Sequence, residues 1–355
     1  LCSALGGAWM LWRFARRLQG FTGDCLGATQ QVAEIAFYLG AAMALACNCA
    51  LGQTGAVGYP ARAITIVVPF AAGGNTDVKT RLVAKQLGEI LGQPVVIDNK
   101  PGASGNIGME LVNRAAPDGY TLGMGSFGPL AVNPWIYPKL NFNPRSFVPI
   151  ILLEKSPLVL VTPADKPYQS VKDVIAAAKA RPGHLNIANA GPGGAHHLSA
   201  ELFESAAGID MLGVPFKGGG PAAQALLAGQ VDLMFEQTSA AVPSIQARKI
   251  RALGVTSAQR LQQLPDVPSF AEQGLPEVTV SNWMGYVAPK GTPPDIVARL
   301  HAAFAKAMEH PEVKDRILAQ GNEFGGGSSQ DFASFIDGES AKWSRLVKAR
   351  NIRMD

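Results

Sequence analysis

From Tyr59 onward the chain alternates short apolar runs with segments of helical length and period. That alternation is the strongest constraint on the fold, because strands joined by helices run mainly parallel, with the helices on the faces of the sheet. Strands are expected over residues 64–69, 95–98, 121–125, 148–153, 158–162, 185–189, 212–215, 231–235, 251–256 and 281–288. Helices are expected over 77–91, 170–180, 195–207 and 222–228, with Gly229 closing the last. In 77–91, Val78, Leu82, Leu87 and Leu91 fall near one face, and Lys79, Lys85 and Glu89 lie elsewhere. The C-terminal part reads as three helical runs, 293–308, 311–319 and 329–348, with little strand signal between them. Pro293, Pro294 and Pro311 sit where a first helical turn accepts proline.

This many strands suits two sheets of about five better than one open sheet. No internal repeat and no long flexible linker stands out. The expected organisation is therefore discontinuous: a first lobe of residues 59–156 and 277–355, and a second lobe of 157–276. The chain crosses twice between them, so the lobes enclose a hinged cleft. Ligands of open α/β sheets bind beyond the carboxyl ends of the strands, and here those ends face across the cleft.

The region before Tyr59 differs. Residues 35–51 form an uncharged, alanine-rich run, and Ala44-Leu45-Ala46 fits an A-x-A cleavage signal. A secretory signal peptide near residues 31–50 is the favoured reading, ahead of an uncleaved membrane anchor. The pattern is imperfect: Glu34 precedes the run, and the nearest basic residues are Arg13, Arg16 and Arg17. Residues before about Gln31 read as an over-extended start. A lipid anchor at Cys47 is disfavoured because Ala44 is a poor residue three positions before it. All four cysteines, Cys2, Cys25, Cys47 and Cys49, lie in this region. The body after it therefore has no disulfide framework, no thiolate nucleophile and no Cys-type zinc site, and suits an oxidising compartment. The net charge of +4 is small for 355 residues. With no basic stripe carrying interleaved aromatics, nucleic acid is a poor partner.

Three loops at strand ends are rich in small residues. The first, residues 70–77, follows "ITIVVP" and leads at once into an amphipathic helix. The second is "GSFG", residues 125–128, and the third is "NAGPGGAHHLS", residues 189–199. Strand, glycine turn and helix together aim free N–H groups and a helix dipole at an anion. The first loop lacks a P-loop lysine, so phosphate is not its obvious guest. Taken singly, each loop is more often just a tight turn that needs glycine. Taken together, at the strand ends of both lobes, they favour binding of a carboxylate.

Asp77 would repel such a ligand, and capping its own helix is the preferred role for it. His196 and His197 point about 100° apart on a helix and do not easily chelate one ion, so no metal site is expected. Lys217 before a third glycine turn is either an anion attractor or a surface charge. Glu236 and Gln237, at a strand end, reach either a polar ligand group or the hinge. No G-x-S-x-G, H-E-x-x-H or G-x-x-x-x-G-K-[ST] pattern is present, which lowers the odds of an enzyme. "GASGNIG", residues 102–108, reads as a turn entering a helix rather than a dinucleotide fingerprint.

A string of segments, in order, resembles one family. "YPARAITIVVPFAAGGNTD", "GQPVVIDNKPGASGNIG" and "APDGYTLGMGS" look like the first lobe of the Bug family, the extracytoplasmic solute-binding proteins of tripartite tricarboxylate transporters. "RPGHLNIANAGPGGAHHLSAELF", "VPFKGGGPAAQALLAGQVDLMFEQ" and "IRALGVTSAQRLQQLPDVPSFAEQG" match its second lobe, and "NWMGYVAPKGTPPDIVARL" and the late "AKW" match the return. The resemblance runs from Tyr59 nearly to Asp355. It implies a two-lobe, type II periplasmic-binding-protein-like α/β fold with a ligand cleft between the lobes. It also implies capture of a small carboxylic acid, held largely by backbone amides and ordered water. Carried over by motif, the first-lobe contacts are Phe70, Ala71, Ala72, Gly73, Gly74, Asn75, Thr76, Asp77 and Ser126. Those of the second lobe are Asn189, Ala190, Gly191, Gly194, Ala195, His196 and His197, with Lys217 and Gln237 at the margin. Ala71-Ala72 stand where many members have prolines, and Glu236 where an aspartate is familiar.

The expectation is a periplasmic, monomeric binding protein without cofactor, partnered by its solute and by membrane permease subunits. The alternatives are a binding protein that signals to a sensor and, less favoured, an enzyme acting on an organic acid. A transcriptional regulator with a similar effector fold is disfavoured, because no helix-turn-helix region precedes Tyr59.

Overall fold

The computed structural model describes residues 58–354. The expected signal segment near residues 31–50 and the four cysteines lie outside the described residues. The strands are β1 (Ile64–Val68), β2 (Val95–Asn99), β3 (Thr121–Ser126), β4 (Val148–Pro163), β5 (Asn186–Asn189), β6 (Leu212–Pro215), β7 (Leu233–Gln237), β8 (Ile250–Val255), β9 (Ser281–Ala288) and β10 (Glu323–Gly326). The longer helices are α1 (Asn75–Leu91), α2 (Asn106–Arg114), α3 (Val171–Ala180), α4 (Ala195–Ala207), α5 (Gly219–Leu227), α6 (Thr238–Gln246), α7 (Pro294–Met308), α8 (Pro311–Ala319) and α9 (Ser329–Ala349).

The main path through the sheet is β2-β1-β3-β9-β4-β7-β5-β6, with β10 and β8 also paired to β4. β1 pairs in parallel with β2 and β3, and β5 in parallel with β6 and β7, as strand–helix alternation requires. Between these two parallel sets lie the antiparallel strands β9 and β4. The fold is thus mixed α/β with two lobes, one built around β1–β3 and the other around β5–β8. β4 belongs to both. Its first part, Val148–Pro157, pairs with β9, and its second part, Leu158–Pro163, pairs with β7 and β8.

β4 is where the sequence reading and the structure first part. Glu154, Lys155 and Ser156 interrupt the apolar run and suggest two strands, yet the ladder continues straight through them. β10 also escapes the sequence pattern, since Phe324 is its only large apolar residue, and α6 does so because Pro243 sits inside it.

The first-lobe core gathers Ile64, Ile66, Leu122 and Met124 from the strands against Leu300 and Phe304 of α7, with the Tyr286 and Phe304 rings stacked at 4.2 Å. In the second lobe Val159, Val161, Ala188, Met234 and Val255 pack against Ala222 and Leu226 of α5.

Leu82, Leu87 and Leu91 of α1 turn toward the first-lobe core as expected, but two positions depart from the sequence reading. Val78 is exposed, whereas Lys79 is almost wholly buried. Lys79 Nζ donates to both oxygens of Glu154, at 2.6 and 2.7 Å, and Glu154 has no exposed surface. Asn322 Nδ2 adds a bond to Glu154 Oε2 at 2.9 Å, and Ser156 Oγ one to Oε1 at 3.3 Å. Burial pulls the Lys79 ammonium below its ordinary range, and the Glu154 charge opposes that pull. Such a pair adds little over an apolar replacement, but losing one partner strands a charge in the core. Replacing Lys79 with Met should therefore cost about 3–5 kcal/mol of unfolding free energy. The double variant Lys79→Met/Glu154→Leu should recover most of that loss. Urea denaturation of the two variants checks both expectations.

Candidate functional site

Two loops reach the same cleft by the same local geometry. Loop 1 runs from Ala71 to Asp77 after β1, and loop 2 from Gly191 to His197 after β5. In each, a glycine in the left-handed region (Gly73, φ 80°; Gly193, φ 73°) is followed by an extended N-cap glycine (Gly74, φ −70°, ψ 164°; Gly194, φ −78°, ψ 166°). The first glycine of each pair needs the freedom that only glycine has at such φ. Neither N-cap carries a side-chain cap bond, so the first amides of α1 and α4 remain at the helix ends with the positive end of the helix dipole. The two loops share little sequence beyond their glycine pair, which is why no repeat is visible in the chain.

The third helical residue ties each loop down. In loop 1 the Gly73 N–H donates to Asp77 Oδ2 at 2.8 Å. Arg81 Nε donates to the same oxygen at 2.9 Å, and Asn99 Nδ2 to Oδ1 at 2.9 Å. Asn99 also donates to the Phe70 carbonyl at 3.1 Å and accepts from Arg81 at 3.0 Å. The Arg81 guanidinium, and then the Gly73 N–H and the Asn99 amide, hold the Asp77 carboxyl at about 2 against the push of burial. Asp77 is thus neutralised within its own lobe, which removes the conflict between its charge and an anionic guest. In loop 2 the Gly193 N–H donates to His197 Nδ1 at 3.1 Å. His197 and His196 diverge, the first toward Glu201 and the second toward Glu236, each at 3.5 Å.

The cleft has a volume of about 680 Å³. Of the residues singled out from the sequence, Phe70, Ala71, Gly74, Asn75, Thr76, Ser126, Ala190, Gly191, Gly194, Ala195 and His196 line it. Ala72, Gly73, Asp77, Asn189, His197, Lys217 and Gln237 are not among its lining residues. Asn189 lies beneath loop 2, where its Oδ1 accepts the Gly191 N–H at 3.3 Å. Lys217 is exposed, and the Gln237 N–H donates to the buried carboxylate of Glu236 at 2.8 Å.

The structure adds lining residues that were not among the named contacts, although Phe127, Gly128, Pro192, Gly193, Gly218 and Gly219 fall within the glycine-rich turns read from the sequence. Ser104, Phe127, Gly128, Asn133 and Ile136 come from the first lobe. Pro192, Gly193, Gly218 and Gly219 come from the second, Asn282, Trp283 and Met284 from β9, and Met354 from the C-terminal segment. The β9 residues fall in "NWMGYVAPKG", and their place at a strand that joins the lobes was the available signal. Ile136 and Met354 carry no local signal at all. No Asp, Glu, Lys or Arg lines the cleft among the described residues. Two buried polar atoms on its wall, Ser126 Oγ and His196 Nε2, have no hydrogen-bond partner. The arrangement can satisfy an anion with main-chain amides and a few neutral donors, between apolar walls formed by Phe70, Phe127, Ile136, Trp283 and Met284.

The comparisons with known proteins identify the family and the fold. The sequence profile of the tripartite tricarboxylate transporter family receptor matches residues 79–352. The chain is 40% identical over 291 residues to the UPF0065 protein in the tcbD-tcbE intergenic region of Pseudomonas sp. strain P51, covering 81% of this chain and 86% of that one. It is 37% identical over 298 residues to protein BugT of Bordetella pertussis, covering 83% and 91%. Among solved structures, R. palustris Rpa4515 with adipate superposes with a TM-score of 0.71 at 37% identity, covering 82% of this chain and 97% of that one. MatC (Rpa3494) from Rhodopseudomonas palustris with bound malate gives 0.70 at 36%, covering 81% and 100%. Residues 1–42 match a different profile, cobalamin-5-phosphate synthase. A stretch of 43 residues is 72% identical to the adenosylcobinamide-GDP ribazoletransferase of Polaromonas sp. strain JS666, covering 12% of this chain and 15% of that one. The profile match overlaps the expected signal segment and does not reach the cleft.

Asp77 provides a test of how loop 1 is held. A carboxyl held at about 2, below its ordinary 3.8, contributes stability that is complete above about pH 4 and is lost as pH falls through 2. Asp77→Asn should lower stability by about 1–3 kcal/mol at neutral pH and flatten the acid limb between pH 4 and 2. Denaturation curves taken across that pH range check both effects.

Proposed function

Because the chain belongs to the tripartite tricarboxylate transporter receptor family, we propose that it is an extracytoplasmic solute-binding protein. It captures a small carboxylic acid in the cleft between its lobes and delivers it to the membrane permease subunits of a transporter of that type. The family is one of solute-binding proteins, and the reading assigns this chain binding rather than catalysis. The observation that carries it is the pair of uncapped helix ends, at Gly74 and Gly194, on one cleft lined, among the described residues, by no Asp, Glu, Lys or Arg side chain. Relatives that hold adipate and malate at 37% and 36% identity support the ligand class.

In this reading the first lobe is residues 59–156 with 277–355, and the second is 157–276. Loop 1 and Ser126 take a carboxylate from one side, and loop 2 with His196 faces it from the other. Asp77, Asn189 and His197 shape the loops, while Lys217 and Gln237 flank them. Charge-assisted bonds from amides strengthen when closure excludes water. Amides do not titrate, so capture persists over a wide pH range. The protein works as a periplasmic monomer, exported by the segment near residues 31–50.

A thermal-shift screen of the purified full chain tests the ligand class, with adipate, malate and their diamides as probes alongside a wider acid panel. An acid at about 100 times its dissociation constant stabilises by roughly 2.7 kcal/mol, and its amide should not. If no acid raises the melting temperature, carboxylate capture is wrong. Gly74→Val tests the site. Its Cβ would stand 3.3 Å from the Ala71 carbonyl oxygen, crowding the end of α1 at an unstrained φ. Affinity for the acid found in the screen should fall at least about tenfold, the effect of one lost charge-assisted bond, while the melting temperature of the free protein stays near that of the parent.

A further inference from the structure

Arg350 links the last helix to the helix that begins at loop 2. It is the C-cap residue of α9, and α9 packs against the first-lobe segments Gly128–Val132 and Asn133–Ile136. Its guanidinium reaches across to α4. Nε donates to Glu201 Oε2 and Nη2 to Glu204 Oε2, each at 2.6 Å. The Glu204 side chain is only 5% exposed, so this contact is sheltered from screening in a way that surface pairs are not.

The cluster extends into the cleft by two routes. Glu201 Oε1 lies 3.5 Å from His197 Nε2. His197 Nδ1 accepts the Gly193 N–H, so in the neutral ring the remaining proton is on Nε2, facing Glu201. The His197 contact, followed by Arg350, holds the Glu201 carboxyl below the usual range. Burial, then the neighbouring Glu201 charge, pushes Glu204 up to about 7. Beyond Arg350, the Met354 N–H donates to the Ile136 carbonyl at 2.9 Å. Met354 and Ile136 both line the cleft, and Ile136 Cδ1 fills the space that a Cβ on Gly193 would need. Loop 2 is therefore braced by a hydrogen-bonded and charged route through His197, Glu201 and Arg350, and by an apolar route through Ile136.

We propose that Arg350 is a positioning residue: its ion-pair cluster with Glu201 and Glu204 latches the two lobes together and, through His197, holds the loop Gly191–His197 in the shape that presents the α4 amides to the cleft. Arginine suits the task because its rigid fork serves two carboxylates at once. Without it, Glu201 and Glu204 lose the cation they share, Glu204 is driven further toward its protonated form by burial and by Glu201, and the His197–Glu201 contact loses its fixed end.

Hydrogen-exchange mass spectrometry on the full chain, with no ligand present, tests this apart from any question of which acid binds. Arg350→Gln should speed amide exchange in residues 191–197 by about tenfold, the factor carried by one lost charge-assisted contact in a local opening. Residues 71–77, locked by Asp77, Arg81 and Asn99, should exchange at the parent rate. Small-angle scattering should show a larger radius of gyration for the variant, and Arg350→Lys should restore part of both effects. Glu201→Gln should shift residues 191–197 in the same direction and serves as the test if Arg350→Gln does not fold. A merely structural role would speed exchange evenly along α4 and α9 without singling out the loop. That result, or unchanged exchange in residues 191–197, overturns the proposal.

Discussion

β4 carries both lobes on one backbone ladder, and the Lys79–Glu154 ion pair sits at its middle. Toward β9 the strand is part of the first lobe, and from Leu158 onward it pairs with β7 and β8. Glu154 stands just before that change of partners. Lys79 reaches it from α1, whose first turn forms the floor of loop 1, and Asn322 reaches it from the segment before β10. A single buried carboxylate thus ties the helix behind the first loop to the strand shared by both lobes. The need to keep that carboxylate paired fixes which face of α1 turns toward β4.

The two loops answer one physical problem with different residues. A helix end offered to a guest cannot be filled by a side-chain cap, so the turn before it must be stabilised from elsewhere. Asp77 does this in loop 1, with Arg81 and Asn99 absorbing its charge. His197 does it in loop 2, with Glu201 behind it. Both leave the N-cap glycine bare. The aromatic support is equally indirect: Phe127 on the cleft wall meets Trp343 edge-on at 5.1 Å, and both Trp343 and Trp283 donate to Glu339.

Much of this was legible in the chain. Alternating periodicity was enough for an α/β architecture, and glycine pairs between a strand and a helix pointed to loops 1 and 2. Failures of the reading share a cause. Lys79 looked like a surface lysine because nothing within its own helix shows a carboxylate waiting in the core. β4 looked like two strands because its polar residues, which break the apolar run, are satisfied by α1 and by residue 322. Asn99, Ile136, Trp283 and Met354 meet at or near the cleft from distant parts of the chain. No local pattern marks a side chain whose role is set by a neighbour two hundred residues away. The match of residues 1–42 to an unrelated profile could not be foreseen from hydropathy, which reports polarity and not ancestry.

The bare N-cap glycines have a consequence for divergence. A main-chain donor is inherited whatever side chain hangs beside it, so Asn75, Thr76, Ala195 and His196 can each be exchanged without removing the amides at the helix ends. A cleft built on charged side chains would lose its grip with the first such change. In the proposed reading, the general attraction and the particular fit are encoded by different atoms. Side chains at the rim can then change to suit a new guest while the amides at the helix ends are kept.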